Sequence, residues 1–373
     1  MVQIGFARAV ITPPLPVALS GYGARVGIAT EVHDDLEVRV MAVADGDRVM
    51  VLLSLDLMAM SRDWADAVRD AVAASLAIAD RAAVLTTTVH THAAPSTITG
   101  TDALGWVVPH EWRPTLVATC VDAAQRARAM VRPVTLKYSQ REVPPTLAYN
   151  RRGFADRAMI AVLDVVDSVS GERVGTVVNA GVHPTVTGPK NLQVSSDYVG
   201  ELRRRVEAAF GGIALFVQGA QGDINPVLGE QSLDPDTTFT AVAAVGAGFA
   251  ALVGEMLADA EPVSGETGVH RSYLATVQAE GSAMSAITRS ASVHAELVEW
   301  RVGGMRIVTI PGEAFAKIGQ AAFRSSTMPL MLAGFCPHWL GYLPDPFDAS
   351  GYEESLSYGP PLVDVVREHL VFQ

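Results

Sequence analysis

Five side chains with useful chemistry stand where an apolar, strand-like run breaks at glycine or proline. His90 and His92 close Thr86-Thr87-Thr88-Val89-His90-Thr91-His92-Ala93-Ala94-Pro95; His183 lies in Gly181-Val182-His183-Pro184, Asp223 in Gly222-Asp223-Ile224 and Glu313 in Pro311-Gly312-Glu313. Imidazoles bind metals or carry protons near neutrality. Two of them with one carboxylate make the donor set that zinc hydrolases use while leaving a position open for water. Read as a strand, Val84–Val89 is mostly β-branched, and alternation puts His90 and His92 on one face, roughly 7 Å apart along it. Taken singly, each residue is equally a satisfied core histidine or a carboxylate complementing a helix dipole.

Other chemistries find less support. The chain has no Gly-x-Ser-x-Gly nucleophile elbow and no Walker loop. Gly246-Ala247-Gly248-Phe249-Ala250-Ala251 has a dinucleotide-like spacing, but it lies inside an apolar helical run and reads as helix packing. Cys120 falls on the apolar face of a helix, so we expect an inert thiol. Arg203-Arg204-Arg205 reads as a solvated helix face. His33, His110, His270, His294, His338 and His369 lack motif context and read as structural or exposed.

Composition narrows the class. Of 373 residues, 49% are hydrophobic and 18% charged, enough for a large core and against disorder. The net charge of −12 argues against nucleic acid or anionic membrane as partner. Cys120 and Cys336 are the two cysteines, which excludes a disulfide framework and a cysteine zinc cluster. The N-terminal residues lack the pattern of a signal peptide, and Phe239–Val253 is short for a membrane span and reads as a buried core helix. We therefore expect a soluble protein, cytoplasmic in a bacterium.

The elements that must position the five side chains alternate along the chain. Residues 1–60 read as strands and turns, with a hairpin turn at Asp45-Gly46-Asp47 and an apolar run, Val49–Leu55, whose following Asp56 needs a partner if buried. Helices are expected at 62–78 (Ser61 as N-cap), Pro114–Met130, Tyr198–Ala209 and Ala314–Arg324. Strands are expected at 133–150, at Met159–Val166 and Arg173–Ala180 as a hairpin, at Ile213–Val217, and within 268–310. The interleaving predicts an α/β protein with a mixed β-sheet core and flanking helices, in one domain spanning 1–373. An eight-fold βα barrel does not fit, because at least two strands precede His90 without a βα repeat.

Several short segments occur in order: Ile11-Thr12-Pro13, Gly21-Tyr22, Leu55-Asp56, His90-Thr91-His92 with Pro95, and Tyr149-Asn150-Arg151. They continue with His183 followed by Ser195-Ser196-Asp197, then Gln221-Gly222-Asp223-Ile224-Asn225-Pro226 and Pro311-Gly312-Glu313. Gly334-Phe335-Cys336, Tyr342, Tyr352-Glu353 and Tyr358-Gly359-Pro360 complete the series. In order and spacing they resemble the catalytic domain of the neutral/alkaline, non-lysosomal ceramidases and their smaller bacterial relatives, across nearly the whole chain.

That resemblance implies one zinc ion held by His90, His183, Glu313 and Tyr342. It makes His92 the residue that polarises the scissile carbonyl or steadies the oxyanion, with Arg151 and Tyr352 supporting substrate or oxyanion. Zinc would lower the pKa of bound water to ~7, giving hydroxide to attack an amide carbonyl. The amine would take its proton from His92 or from a displaced tyrosine ligand. Two departures qualify the resemblance. Asn225 stands where the family has a serine, which leaves metal-bound water as nucleophile. The chain also stops soon after Tyr358, without the family's secretion signal and C-terminal immunoglobulin-like domain, so a small soluble amide, lactam or ester is expected in place of ceramide. The resulting expectation is a zinc-dependent amidohydrolase of non-peptide C–N bonds with a small-molecule acyl partner, homo-oligomer formation remaining open. The alternatives are a zinc esterase or lactonase, and a non-catalytic binding protein on the same scaffold.

Overall fold

Alternation dictates the first layer. Strands Glu37–Asp45 and Arg48–Leu55 pair antiparallel around the two-residue turn Gly46-Asp47, where Gly46 takes φ +59°. Val38, Val40 and Ala42 point into one apolar core, Met41 and Val43 into another. A sheet buried on both faces needs a nearly continuous apolar run, which is what these strands carry.

The computed structural model describes residues 2–98, 109–228, 235–288 and 290–371. Its main sheet runs Ile213–Gln218, Arg173–Ala180, Met159–Asp167, Arg132–Glu142, Gln3–Val10, Glu37–Asp45, Arg48–Leu55, Val84–Thr88, with Glu261–Val263 added beside Arg132–Glu142. Both ends of that order are parallel pairs, 213–218 with 173–180 and 48–55 with 84–88; the pairs between them are antiparallel. A second sheet, Gly268–Gln278, Ser292–Val302, Met305–Ile310 and Leu330–Gly334, ends in a parallel pair, 305–310 with 330–334. The fold is thus α/β with mixed sheets, as the pattern predicts.

The sheets stack, with Leu52, Leu85 and Leu215 of the first and Leu297, Ile307 and Leu332 of the second in a common core. Side chains stitch the layers where burial leaves polar groups no water. Asn179 donates to the Leu332 carbonyl at 2.7 Å and accepts from its amide at 2.9 Å, while Thr87 donates to the Gly334 carbonyl at 2.7 Å. Carboxyl ends of parallel strands from both sheets therefore gather at one place, where open α/β sheets bind ligands.

Helices cover the outer faces, with several departures from the sequence reading. The first helix is Arg62–Ser75, and Ser61 donates to the Thr97 carbonyl at 2.7 Å without capping the helix with its side chain. Helix Arg113–Ala129 buries Leu116, Cys120, Ala123, Ala124 and Ala127, while Val117 is only half-buried; burial pushes the Cys120 thiol up to about 12, so it is inert. Helix Pro235–Ala258 is longer than Phe239–Val253, and its stretch Thr237–Ala258 is by length and composition apolar enough to cross a membrane. It is not buried all round: 44% of its most apolar window is covered. The covered stripe packs on helix Asp197–Phe210, where Gly246 sits so close that a Cβ would lie 2.6 Å from Glu201 Cβ. The glycines therefore serve packing, as expected.

Arg203 corrects the reading of its helix face. Arg204 and Arg205 are exposed and pair with Glu201, but Arg203 is buried and holds Asp56 with two bonds of 2.7 and 2.6 Å. Asp56 also accepts from the Glu37 amide at 2.9 Å, so its partners are complete. Helical periodicity turns one of three consecutive arginines inward, and a buried carboxylate holds it there.

Candidate metal centre and its cavity

Strand Val84–Thr88 stops one residue earlier than its sequence pattern suggests. Val89 and His90 still donate to the carbonyls of Leu55 and Leu57, but His90 takes φ +68°, a left-handed conformation uncommon for any side chain beyond glycine. Simple strand alternation therefore does not set the histidine pair. The turn at His90 swings the two rings together, leaving their Nε2 atoms 3.1 Å apart. Phe335 stacks on the His90 ring at 4.3 Å and supports the turn.

Carbonyl acceptors fix two tautomers. His90 Nδ1 is 2.6 Å from the Met58 carbonyl; His183 Nδ1 is 2.9 Å from that of Gln221 and 3.2 Å from that of Ile224. A carbonyl can only accept, so both Nδ1 atoms carry a proton and both Nε2 atoms are turned into the shared pocket. Each Nε2 lies 3.3 Å from the same oxygen, Glu313 Oε2. Glu313 Oε1 accepts from the Trp339 indole at 2.8 Å. All of these groups are buried.

Electrostatics sharpens the picture. Burial, with His90 close by, lowers His92 well below the usual imidazole range, and burial lowers His183 to about 4. Burial alone would raise the Glu313 carboxyl, but the neighbouring imidazoles hold it well below the usual carboxylate range. Two imidazole nitrogens and one carboxylate oxygen thus converge in a dry pocket, a donor set able to close around a cation.

His92 differs from the other two histidines. His90, His92 and His183 form one group whose ligating atoms lie within 4.8 Å of one another. However, His92 Nδ1 is buried without a hydrogen-bond partner. Metal-binding histidines almost always donate the other ring N–H to a fixed acceptor. His90 and His183 meet that condition and His92 does not.

Tyr342 is drawn in by the short parallel pair Glu313–Ala314 with Tyr342–Leu343, in which Glu313 and Tyr342 are directly opposed. Burial, and Glu313 beside it, raise its phenol well above the ordinary value. Arg151 lies over the Tyr342 ring, 6.0 Å from its centroid. Its guanidinium is clamped by Glu353 at 2.7 Å, the Gly222 carbonyl at 2.7 Å and Asn225 Oδ1 at 3.4 Å. Asn225, where the resemblance places a serine, thus helps orient Arg151. Tyr352, 62% exposed, stands at the rim with its ring 6.3 Å from that of Tyr342.

These groups open onto a cavity of about 370 Å³ lined by Gly21, Tyr22, Gly23, Ala24, His92, Arg151, Pro189, Tyr342 and Tyr352. The loop at its mouth is tied down by Arg25, which donates to the His92 carbonyl at 2.7 Å, and by the Tyr22 hydroxyl, which donates to the Thr185 carbonyl at 2.9 Å.

Of the residues singled out in the sequence, Asp223 takes no part in the cluster. Its carboxylate accepts from the Ala316 amide at 2.7 Å and from Asn150 at 2.6 Å, so it caps helix Ala316–Ser325, which starts two residues after the expected Ala314, and anchors the Asn150-Arg151 turn. Sequence reasoning missed Trp339, Gln221, Gly21 and the Met58 carbonyl. Gln221 and Gly21 lay inside quoted motifs, whereas nothing in the sequence marks which backbone carbonyl a ring nitrogen meets.

No family model matches the chain, and no sequence among the curated proteins does. Solved structures do. A neutral ceramidase from Pseudomonas aeruginosa superposes with a TM-score of 0.84 at 19% identity, covering 99% of this chain and 73% of its own. A second structure, described as a ceramidase complexed with C2, gives a TM-score of 0.83 at 18% identity over 99% and 74%. The fold of this chain is therefore the neutral-ceramidase fold, with nearly every residue inside the likeness.

Proposed function

We propose that this chain is a zinc-dependent hydrolase of small non-peptide amides, linear or cyclic. The observation that carries the reading is the convergence of His90 Nε2 and His183 Nε2 on one buried carboxylate oxygen, Glu313 Oε2, 3.3 Å from each. Nitrogen and carboxylate oxygen donors without thiolate suit zinc at a catalytic site. His90, His183 and Glu313 would hold the ion, and Tyr342, opposed to Glu313, would complete the set. Bound there, zinc would supply Lewis acidity and lower the pKa of water to ~7.

The chain's own residues account for the rest. Hydrolysis adds hydroxide to the acyl carbon and a proton to the departing amine. His92, neutral and with a ring nitrogen free of any protein partner, can hold that proton or hydrogen-bond the acyl oxygen. Arg151, kept cationic by Glu353, lends positive potential where negative charge develops. Tyr22, Tyr342 and Tyr352 shape the cavity, with Tyr352 on the solvent side. At about 370 Å³ the cavity lies near the lower end of the ~300–1,000 Å³ range of small-molecule pockets. A compact, water-soluble acyl compound fits that size better than a two-chain lipid.

The test is a screen of paired amide, lactam and ester substrates on protein with quantified metal. Turnover that disappears on chelation and returns with zinc supports the proposal, and the amide-to-ester ratio sets the bond class. Full turnover after rigorous metal removal would sink it, and metal uptake without turnover of any acyl compound would favour a binding protein.

A further inference from the structure

The geometry points to Trp339 as the residue that aims Glu313, and hence as a positioning residue for the metal proposed above; the inference rests on that proposal for its zinc arm only. Backbone pairing fixes where Glu313 begins: its amide donates to the Gly341 carbonyl at 3.0 Å and its residue opposes Tyr342. The side chain then has three further torsions, and the last, about the carboxylate, is broad. Something must select which oxygen meets the imidazoles. The Trp339 indole N–H, a donor that cannot accept, takes Oε1 at 2.8 Å and leaves Oε2 turned toward His90 and His183. Gln221 approaches Oε2 only at 3.4 Å.

Trp339 is itself held firmly. The residue is 6% exposed, within the core between the sheets, and its amide donates to the Met60 carbonyl at 2.9 Å. Two residues earlier, Met58 offers the carbonyl that fixes the His90 tautomer. The segment 57–60 therefore sets His90 directly and Glu313 through Trp339, so that both are aligned to one stretch of backbone.

The test uses the full chain and Trp339→Phe, which keeps an aromatic ring and removes the N–H. In metal-free protein with 15N-labelled indoles, the Trp339 resonance, identified by its loss from the variant among five tryptophans, should exchange slowly with solvent and shift in Glu313→Gln. A fast-exchanging resonance indifferent to Glu313→Gln would overturn the inference, whether or not the protein takes zinc. In a chelator competition, Trp339→Phe should bind zinc ~10–100-fold more weakly than the parent, the usual effect of losing such an outer contact. Its metal-free melting temperature should stay within a few degrees of the parent. Unchanged zinc affinity would equally overturn the inference. If Trp339→Phe misfolds, Trp339→His, which restores a ring N–H, replaces it and should retain part of the affinity. A parent that binds no zinc at all refutes the functional proposal and leaves the indole measurement to decide this one.

Discussion

At the scale of single residues, the site depends on atoms that sequence motifs do not display. Gly21 shows this best. It takes φ +100°, and a Cβ there would lie 2.4 Å from Cγ of His92. Gly21→Ala should therefore displace the imidazole, lower kcat/KM at least tenfold, and destabilise the fold by about 1–2 kcal/mol from the backbone alone. Steady-state kinetics and urea unfolding check the two effects separately. His90, His183 and Glu313 were legible because each follows an apolar run broken by glycine or proline, and the resemblance added Tyr342, Arg151 and Tyr352. The relation of His90 to His92 was not legible. Strand alternation placed them about 7 Å apart, whereas a left-handed turn at His90 brings their ring nitrogens to 3.1 Å. A positive φ at a histidine leaves no mark in composition or periodicity.

At the scale of elements, paired charges fix how helices sit on the sheet. Arg203 and Asp56 join helix Asp197–Phe210 to the end of strand Arg48–Leu55, both buried. Removing one partner of such a pair leaves an uncompensated charge, and Arg203→Met should cost about 3–5 kcal/mol in urea unfolding at pH 7. Asp56→Asn combined with Arg203→Met should be less destabilised than Arg203→Met alone; equal destabilisation would show that packing, not the stranded charge, dominates. The sequence announced half of this contact, since Asp56 after an apolar run demanded a partner. It could not say which of three consecutive arginines would supply it. Asp223 teaches the converse. Its place at a strand end resembles that of the cluster residues, yet its carboxylate serves the Ala316 amide. A strand-end carboxylate can cap a neighbouring helix as readily as bind a ligand, and only the three-dimensional neighbour separates the two.

At the scale of the whole molecule, two mixed sheets packed face to face and covered by helices bring parallel strand ends together. Interleaved strand and helix signals made the class legible, but the pairing order was not, because long-range strand neighbours leave no local pattern. The same burial gives the protein a pH signature carried by two histidines outside the metal cluster. Burial lowers His369 to about 4, with Arg271 adding to the effect, and burial lowers His338 to about 3. Folded-state values below the unfolded ~6.5 mean that their stabilising contribution is complete above ~6.5, declines as pH falls below it, and is fully lost once pH has passed 4 for His369 and 3 for His338. Each should remove about 2 kcal/mol between pH 7 and 5. His369→Leu should flatten that slope in urea titrations at the two pH values, and an unchanged slope would refute the assignment.

The central claim is that His90, His183 and Glu313 converge on a cation, and metal titration into stripped protein, followed by anomalous diffraction at the zinc edge, tests it most directly. The account predicts one tightly held equivalent, with its density between His90 Nε2, His183 Nε2 and Glu313 Oε2, and loss of that equivalent in His90→Ala. No uptake, or density elsewhere with the three side chains unmoved, would contradict it.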